Sequence, residues 1–183
     1  MSEQAGAEAV ERYLVARGTR PVRLGAGRFA VYVPGRSGLP DLEVCFASTR
    51  ASRGVMARVR SLLRVPQEAT GRALHLANRW NRASLMPHAV LATRDVGGDL
   101  ESMLLLEGYL VPATAWDQEQ IGQFVEQVIA GSRRFWASST VRGLCTPVAP
   151  AATTPGTAGA FAELVEEVAD QPVATRPFES LDP

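Results

Sequence analysis

Apolar residues recur along the chain at two spacings, and the switches between them mark out the elements. Val10, Tyr13 and Leu14 fall at i, i+3 and i+4, which predicts a short helix over residues 7–17, ended by Gly18. Residues 29–33 (FAVYV) alternate and are rich in strand formers. Residues 42–47 (LEVCFA) put Leu42, Val44 and Phe46 on one face of a second strand. The Pro34–Pro40 stretch between them, with Gly35 and Gly38, reads as a turn region. Residues 55–65 alternate again. Val55, Ala57, Val59, Leu63 and Val65 point one way, and Met56, Arg58, Arg60, Leu62 and Arg64 the other. A helix would scatter those arginines around its axis, so a third strand is expected.

Pro66 suits the first turn of a helix. Ala69, Ala73, Leu76, Ala77 and Trp80 then repeat at helical spacing, until residues 81–84 break the pattern. A fourth strand is expected over residues 88–93, a Gly97-Gly98 turn after it, and a fifth strand over residues 100–111. The Met103–Leu106 run of the fifth strand predicts a central position, covered on both faces. Thr114 and Asp117 resemble a capping box, with Asp in place of Glu. The helix that follows has the clearest period in the chain: Ile121, Phe124, Val125, Val128 and Ile129, continued by Phe135 and Trp136, ending near Ser138.

This order, α-β-β-β-α-β-β-α, defines an α+β fold: a five-stranded antiparallel sheet with helices mainly on one face, plus a C-terminal tail. The expected organisation is a domain over residues 1–140, a flexible linker over 141–160 and an acidic tail over 161–183. The 183 residues suffice for one core and an appendage. No apolar run is long enough to span a membrane, and residues 1–20 lack an apolar signal core, so a cytoplasmic protein is expected.

Net charge is zero, but it is unevenly spread. Residues 1–142 carry 18 arginines against 13 acids, a net of +5, and residues 143–183 carry one against six, a net of −5. All 19 basic residues are arginine. The absence of lysine excludes a P-loop, a protein kinase and a pyridoxal Schiff base, each of which needs one.

Other chemistry is as thinly represented. Gly25-Ala26-Gly27-Arg28-Phe29-Ala30 fits a dinucleotide fingerprint, but a strand follows it where the phosphate site needs a helix, so it reads as a turn. His75 and His88 are the only histidines, and no Cys/His cluster joins them to make a metal site. Asp95, Asp99 and Glu101 lack the spacing of a calcium loop. Cys45 and Cys145 have no neighbour that would activate a thiol, and two cysteines are too few for a disulfide framework. No G-x-S-x-G is present. The expectation is a protein without catalytic residues, cofactor or metal.

The densest basic cluster is Arg50, Arg53, Arg58, Arg60 and Arg64. No aromatic side chain is interleaved with it for stacking on bases, which favours a solvated or protein-binding face over nucleic acid or an acidic small ligand.

The segment His75-Leu76-Ala77-Asn78-Arg79-Trp80-Asn81, followed by a strand, a glycine turn and a strand ending in Gly108-Tyr109-Leu110-Val111, resembles the YbjN-like family over residues 7–138. Helices of that family commonly end in N-x-[WF]-N before a strand pair, here Asn78, Trp80 and Asn81. The resemblance implies a type III secretion chaperone-like fold, pairing as a dimer, a sensory or regulatory role, and no reaction. Trp80 continues the buried stripe, Asn81 suits a helix end and Asn78 is placed to hold the outgoing loop, so the motif reads as structural. The expected function is a chaperone- or adaptor-like module that holds another protein. The alternative is a regulator touching nucleic acid through Arg58, Arg60 and Arg64.

In the tail, Phe161, Leu164, Val165 and Val168 form an apolar stripe among Glu163, Glu166 and Glu167. A helix of about ten residues is marginal alone. The stripe is therefore expected to dock on its own body, on a sister protomer or on a partner, with charge favouring a basic surface. A disordered end is the other reading of its Pro, Thr and Ala content.

Overall fold

The structure, a computed structural model, describes residues 5–147 apart from 37, 50–53, 97–98 and 113–114. The expected turn at Gly97-Gly98, Thr114, Arg50, Arg53 and the whole tail stripe lie outside the described residues.

The chain opens with α1 (Ala5–Ala16), which buries Val10, Tyr13 and Leu14. Four strands follow: β1 (Val22–Gly25), β2 (Arg28–Val33), β3 (Leu42–Ser48) and β4 (Val55–Ser61). The short β5 (Leu63–Arg64) precedes α2 (Thr70–Ala83). Then come β6 (His88–Val96), β7 (Asp99–Leu110), α3 (Gln118–Ala137), α4 (Ser139–Leu144) and β8 (Thr146–Pro147). The main sheet has six strands in the order β1-β2-β3-β4-β7-β6, and every neighbouring pair is antiparallel. β5 and β8 form a second, two-stranded sheet.

The core lies on one face of this sheet. Phe29, Val31, Val44, Phe46, Val55, Ala57, Val59, Leu104 and Leu106 point inward and cluster with the buried residues of all four helices. Phe29 stacks on Phe46 at 5.1 Å between centroids, and Phe124 of α3 meets Phe46 edge-on at 6.4 Å. Ala30, Cys45, Ala47 and Leu105 are buried on the opposite face and take no part in that cluster. The period-two reading of residues 55–59 therefore assigned the two faces as the structure has them.

The expected five strands become six because Val22–Gly25 pairs with β2 through a hairpin. Gly25 and Gly27 adopt φ of +153° and +66° there, so the glycine fingerprint is a turn between strands. The third strand is interrupted: Leu62 is exposed, and Leu63–Arg64 pairs with β8 instead of continuing the main sheet. Residues 67–69 form a 3₁₀ turn ahead of α2, and α2 runs through Ala83, past the expected break at 81. The cap of α3 is Asp117 itself, which accepts from the Gln120 N–H at 3.3 Å. Residues 141–147, expected as the start of a linker, form the end of α4 and β8, with Val141 and Leu144 buried in the core.

Two glycines let α3 lie close to its neighbours. A Cβ at Gly122 would stand 2.8 Å from the Tyr13 hydroxyl, and one at Gly131 would overlap the Pro87 ring. Gly122→Ala and Gly131→Ala are each expected to destabilise the fold by about 1–3 kcal/mol. Gly71→Ala, where a Cβ meets nothing within 4 Å, should instead be neutral or stabilise by up to about 1 kcal/mol. Urea unfolding of the three variants checks the contrast.

Candidate protein-binding face

Strand register sets which side chains share the sheet's outer face. One row runs Val22, Ala30, Cys45, Arg58, Glu107, His88, and the next runs Tyr32, Glu43, Arg60, Leu105, Val90. Within these rows the charges pair across strands. Arg58 Nε donates to Glu107 Oε1 at 2.8 Å, with both side chains largely buried. Arg60 donates to Glu43 Oε2 through Nε and Nη2, at 3.1 and 2.9 Å. Arg64 pairs with Glu101 at 3.3 Å. Of the five arginines in the cluster, the three described ones are thus each matched to a sheet carboxylate. A pattern that reads as a basic face in sequence is a ladder of neutral pairs in space.

Around this ladder the face is apolar and accessible. Tyr32 is 62 % exposed, Val22 59 % and Tyr109 49 %. Both tyrosines are anchored. The Tyr32 hydroxyl hydrogen bond holds the Asp41 carboxyl below its ordinary range, helped by the Gly35 N–H at 2.7 Å. Tyr109 donates to Glu107 Oε2 at 3.0 Å. Burial, then the Glu107 charge, pushes the Tyr109 phenol up to about 12. Arg28, paired in register with Ala47 on this face, has buried Nε and Nη2 atoms with no hydrogen-bond partner. Donors left in that state carry a desolvation cost.

Cys45 sits in the middle of the first row, 2 % exposed, and burial pushes its thiol up to about 11. Cys145 is displaced the same way. Neither has the low pKa of a reactive thiol. Among the described residues, no three His, Cys, Asp or Glu side chains stand together as metal ligands would. His88 ends the first row at the sheet edge, while His75 lies exposed on α2.

The Asn78, Trp80 and Asn81 motif joins α2 to β6. Trp80 Nε1 donates to the Pro87 carbonyl at 2.8 Å, and its ring meets Phe135 edge-on at 5.2 Å. Asn81 uses both ends of its amide on one residue: Nδ2 donates to the Ala89 carbonyl at 2.9 Å, and Oδ1 accepts the Ala89 N–H at 2.6 Å. β6 is an edge strand, and Ala89 turns its peptide groups away from β7. The Asn81 side chain satisfies them as a neighbouring strand would. Asn78 is exposed, and the bonds to the outgoing loop come from Trp80 and Asn81 rather than from it.

Residues 6–138 match the YbjN family model, described as "Putative bacterial sensory transduction regulator". The sheet with its one-sided helix layer is the class of fold defined above, and the chain belongs to the YbjN family. It is similar to the solved structure titled "Crystal structure of YbjN, a putative transcription regulator from E. coli", with a TM-score of 0.60 and 17 % identity over 79 % of this chain and 98 % of that one. At that identity the likeness is one of fold. No curated protein matches the sequence. No helix among the described residues is long and apolar enough to cross a membrane.

Asn81→Ala leaves the Ala89 peptide groups without their partner and is expected to cost about 1–3 kcal/mol. Asn78→Ala should stay within about 0.5 kcal/mol of the parent in the same urea titration. The folded state holds the Cys45 proton more tightly than the unfolded chain does. Its contribution to stability is therefore complete below the ordinary thiol value of 9.0 and is lost as pH rises through about 11. The urea midpoint should fall across that window, and Cys45→Ala should flatten the fall.

Proposed function

We propose that this YbjN-family chain is a non-enzymatic regulatory module, chaperone- or adaptor-like, that binds a partner protein on the outer face of its sheet. The observation that carries this reading is the face itself. Anchored, exposed Tyr32 and Tyr109 and exposed Val22 flank charges that are already neutralised. Such a face is suited to apolar and aromatic contact with a protein surface. Arg28 supports it, since its guanidinium, turned outward, would meet a partner carboxylate and end the desolvation cost of its two buried donors. The same pairing argues against the alternative, a nucleic-acid contact through Arg58, Arg60 and Arg64, because those charges are spent on Glu107, Glu43 and Glu101. Homodimerisation is part of the proposal, with an antiparallel sheet that exposes both a face and the β6 edge.

Affinity capture from the native host is expected to recover a protein in stoichiometric amount with the parent and not with Val22→Glu/Tyr32→Glu. Arg28→Met should weaken capture while leaving the urea midpoint unchanged or higher, because two buried donors without partners are replaced by an apolar chain. Recovery that is indifferent to all of these variants would overturn the assignment of the face. Tight, steeply salt-dependent binding of an oligonucleotide would favour the nucleic-acid reading. Sedimentation at high micromolar concentration should give a dimer, and a clean monomer rejects that part.

A further inference from the structure

Among the described residues, α2 carries arginines that no carboxylate matches, unlike the arginines of β4. The α2 sequence TGRALHLANRWNRA contains no carboxylate. At 100° per residue, Arg72, Arg79 and Arg82 fall within an arc of about 80°, a cationic stripe along one flank of the helix with His75 between them. All four are exposed. No carboxylate of the described residues pairs with Arg72 or Arg79, in contrast to the matched arginines of the sheet. The carboxylate nearest in sequence, Glu68, is exposed in the turn before α2.

The stripe borders a groove. Between α2 and α4 the surface opens into a cavity of about 300 Å³, rimmed by Arg72, His75 and Arg79 and floored by Leu76 and Leu144. Cations on the rim and leucines on the floor call for a ligand that is both acidic and apolar. A phosphodiester backbone would satisfy the rim and waste the floor, and a plain apolar helix would do the reverse. The spacing of the donors is also specific: residues 72, 75 and 79 repeat at i, i+3 and i+7, and the two arginines stand about 10 Å apart along the axis. Carboxylates at i, i+3 or i+4, and i+7 on a second helix match that spacing.

We propose that the α2–α4 groove binds an acidic amphipathic helix of a partner protein, with its carboxylates on Arg72, His75 and Arg79 and an apolar side chain on the Leu76–Leu144 floor. This surface is separate from the sheet face and does not depend on it. The probe is a fluorescein-labelled helical peptide with leucines at i, i+3, i+4 and i+7 and glutamates on the flanks, titrated with the full chain and read by anisotropy. Binding is expected to weaken about tenfold or more in Arg72→Gln/Arg79→Gln, and similarly when the peptide's glutamates become glutamines. Val22→Glu/Tyr32→Glu should bind the peptide as the parent does, which separates this groove from the sheet face. Both substituted arginines are exposed, and an unchanged urea midpoint verifies that the fold is intact. No binding by the parent, or equal binding by parent and double-arginine variant, overturns the proposal. So does a single-stranded oligonucleotide that binds through these two arginines where the peptide does not.

Discussion

α3 lies along the inner face of the sheet with Ile121, Phe124, Val125, Val128, Phe135 and Trp136 all buried. Phe124 reaches the Phe29–Phe46 stack, while Phe135 contacts both Trp80 and Trp136 edge-on. Burying six large apolar side chains is worth on the order of 10 kcal/mol before entropy is counted, comparable to the whole net stability of a domain this size. The other elements are fitted to that helix. α1 approaches it at Gly122, the loop before β6 at Gly131, and α4 continues from its end to add Val141 and Leu144 to the same core. Because the helices pack together on one side, the far side of the sheet has to be stable on its own account.

The outer face meets that requirement with charge pairs instead of packing. Arginine suits this work, since its planar fork can lie along a strand and meet a carboxylate on the next. Arg58 and Arg60 sit two residues apart on β4 and turn to opposite neighbours, one to Glu107 on β7 and the other to Glu43 on β3. The result is a surface whose charges nearly cancel. Its recognition properties fall to the rings and apolar groups between the pairs.

Much of the layer structure was legible in the sequence because it rests on short-range periods. The alternation of residues 55–59 separated the two faces, and the Ile121–Trp136 repeat located the helix that covers one of them. The helix-end motif identified the family. Elements without a period were missed. β1 has four residues and a burial pattern with no alternation, and β8 has two, while residues 63–64 lie inside the expected third strand but form the separate β5. α4 straddles the expected domain boundary at residue 140, and its six residues are too few to display a helical repeat. The meaning of the arginines was hidden for a different reason. Arg58 and Glu107 are 49 residues apart, and only the register of β4 against β7 brings them together. Density along the chain pointed to β4 as the basic surface, whereas the helical angle of Arg72, Arg79 and Arg82 was the better signal.

The bond between Asn81 and Ala89 spans eight residues, and Trp80 reaches Pro87 across seven. The main sheet, in contrast, requires partners such as β4 and β7 to meet across the intervening β5, α2 and β6. Contacts of short sequence separation cost little loop entropy and form early. The end of α2 and the start of β6 can therefore close on each other at little entropic cost, without waiting for β4 to meet β7. The asparagine that completes the sheet edge thus also makes one of the contacts that the chain closes at least entropic cost.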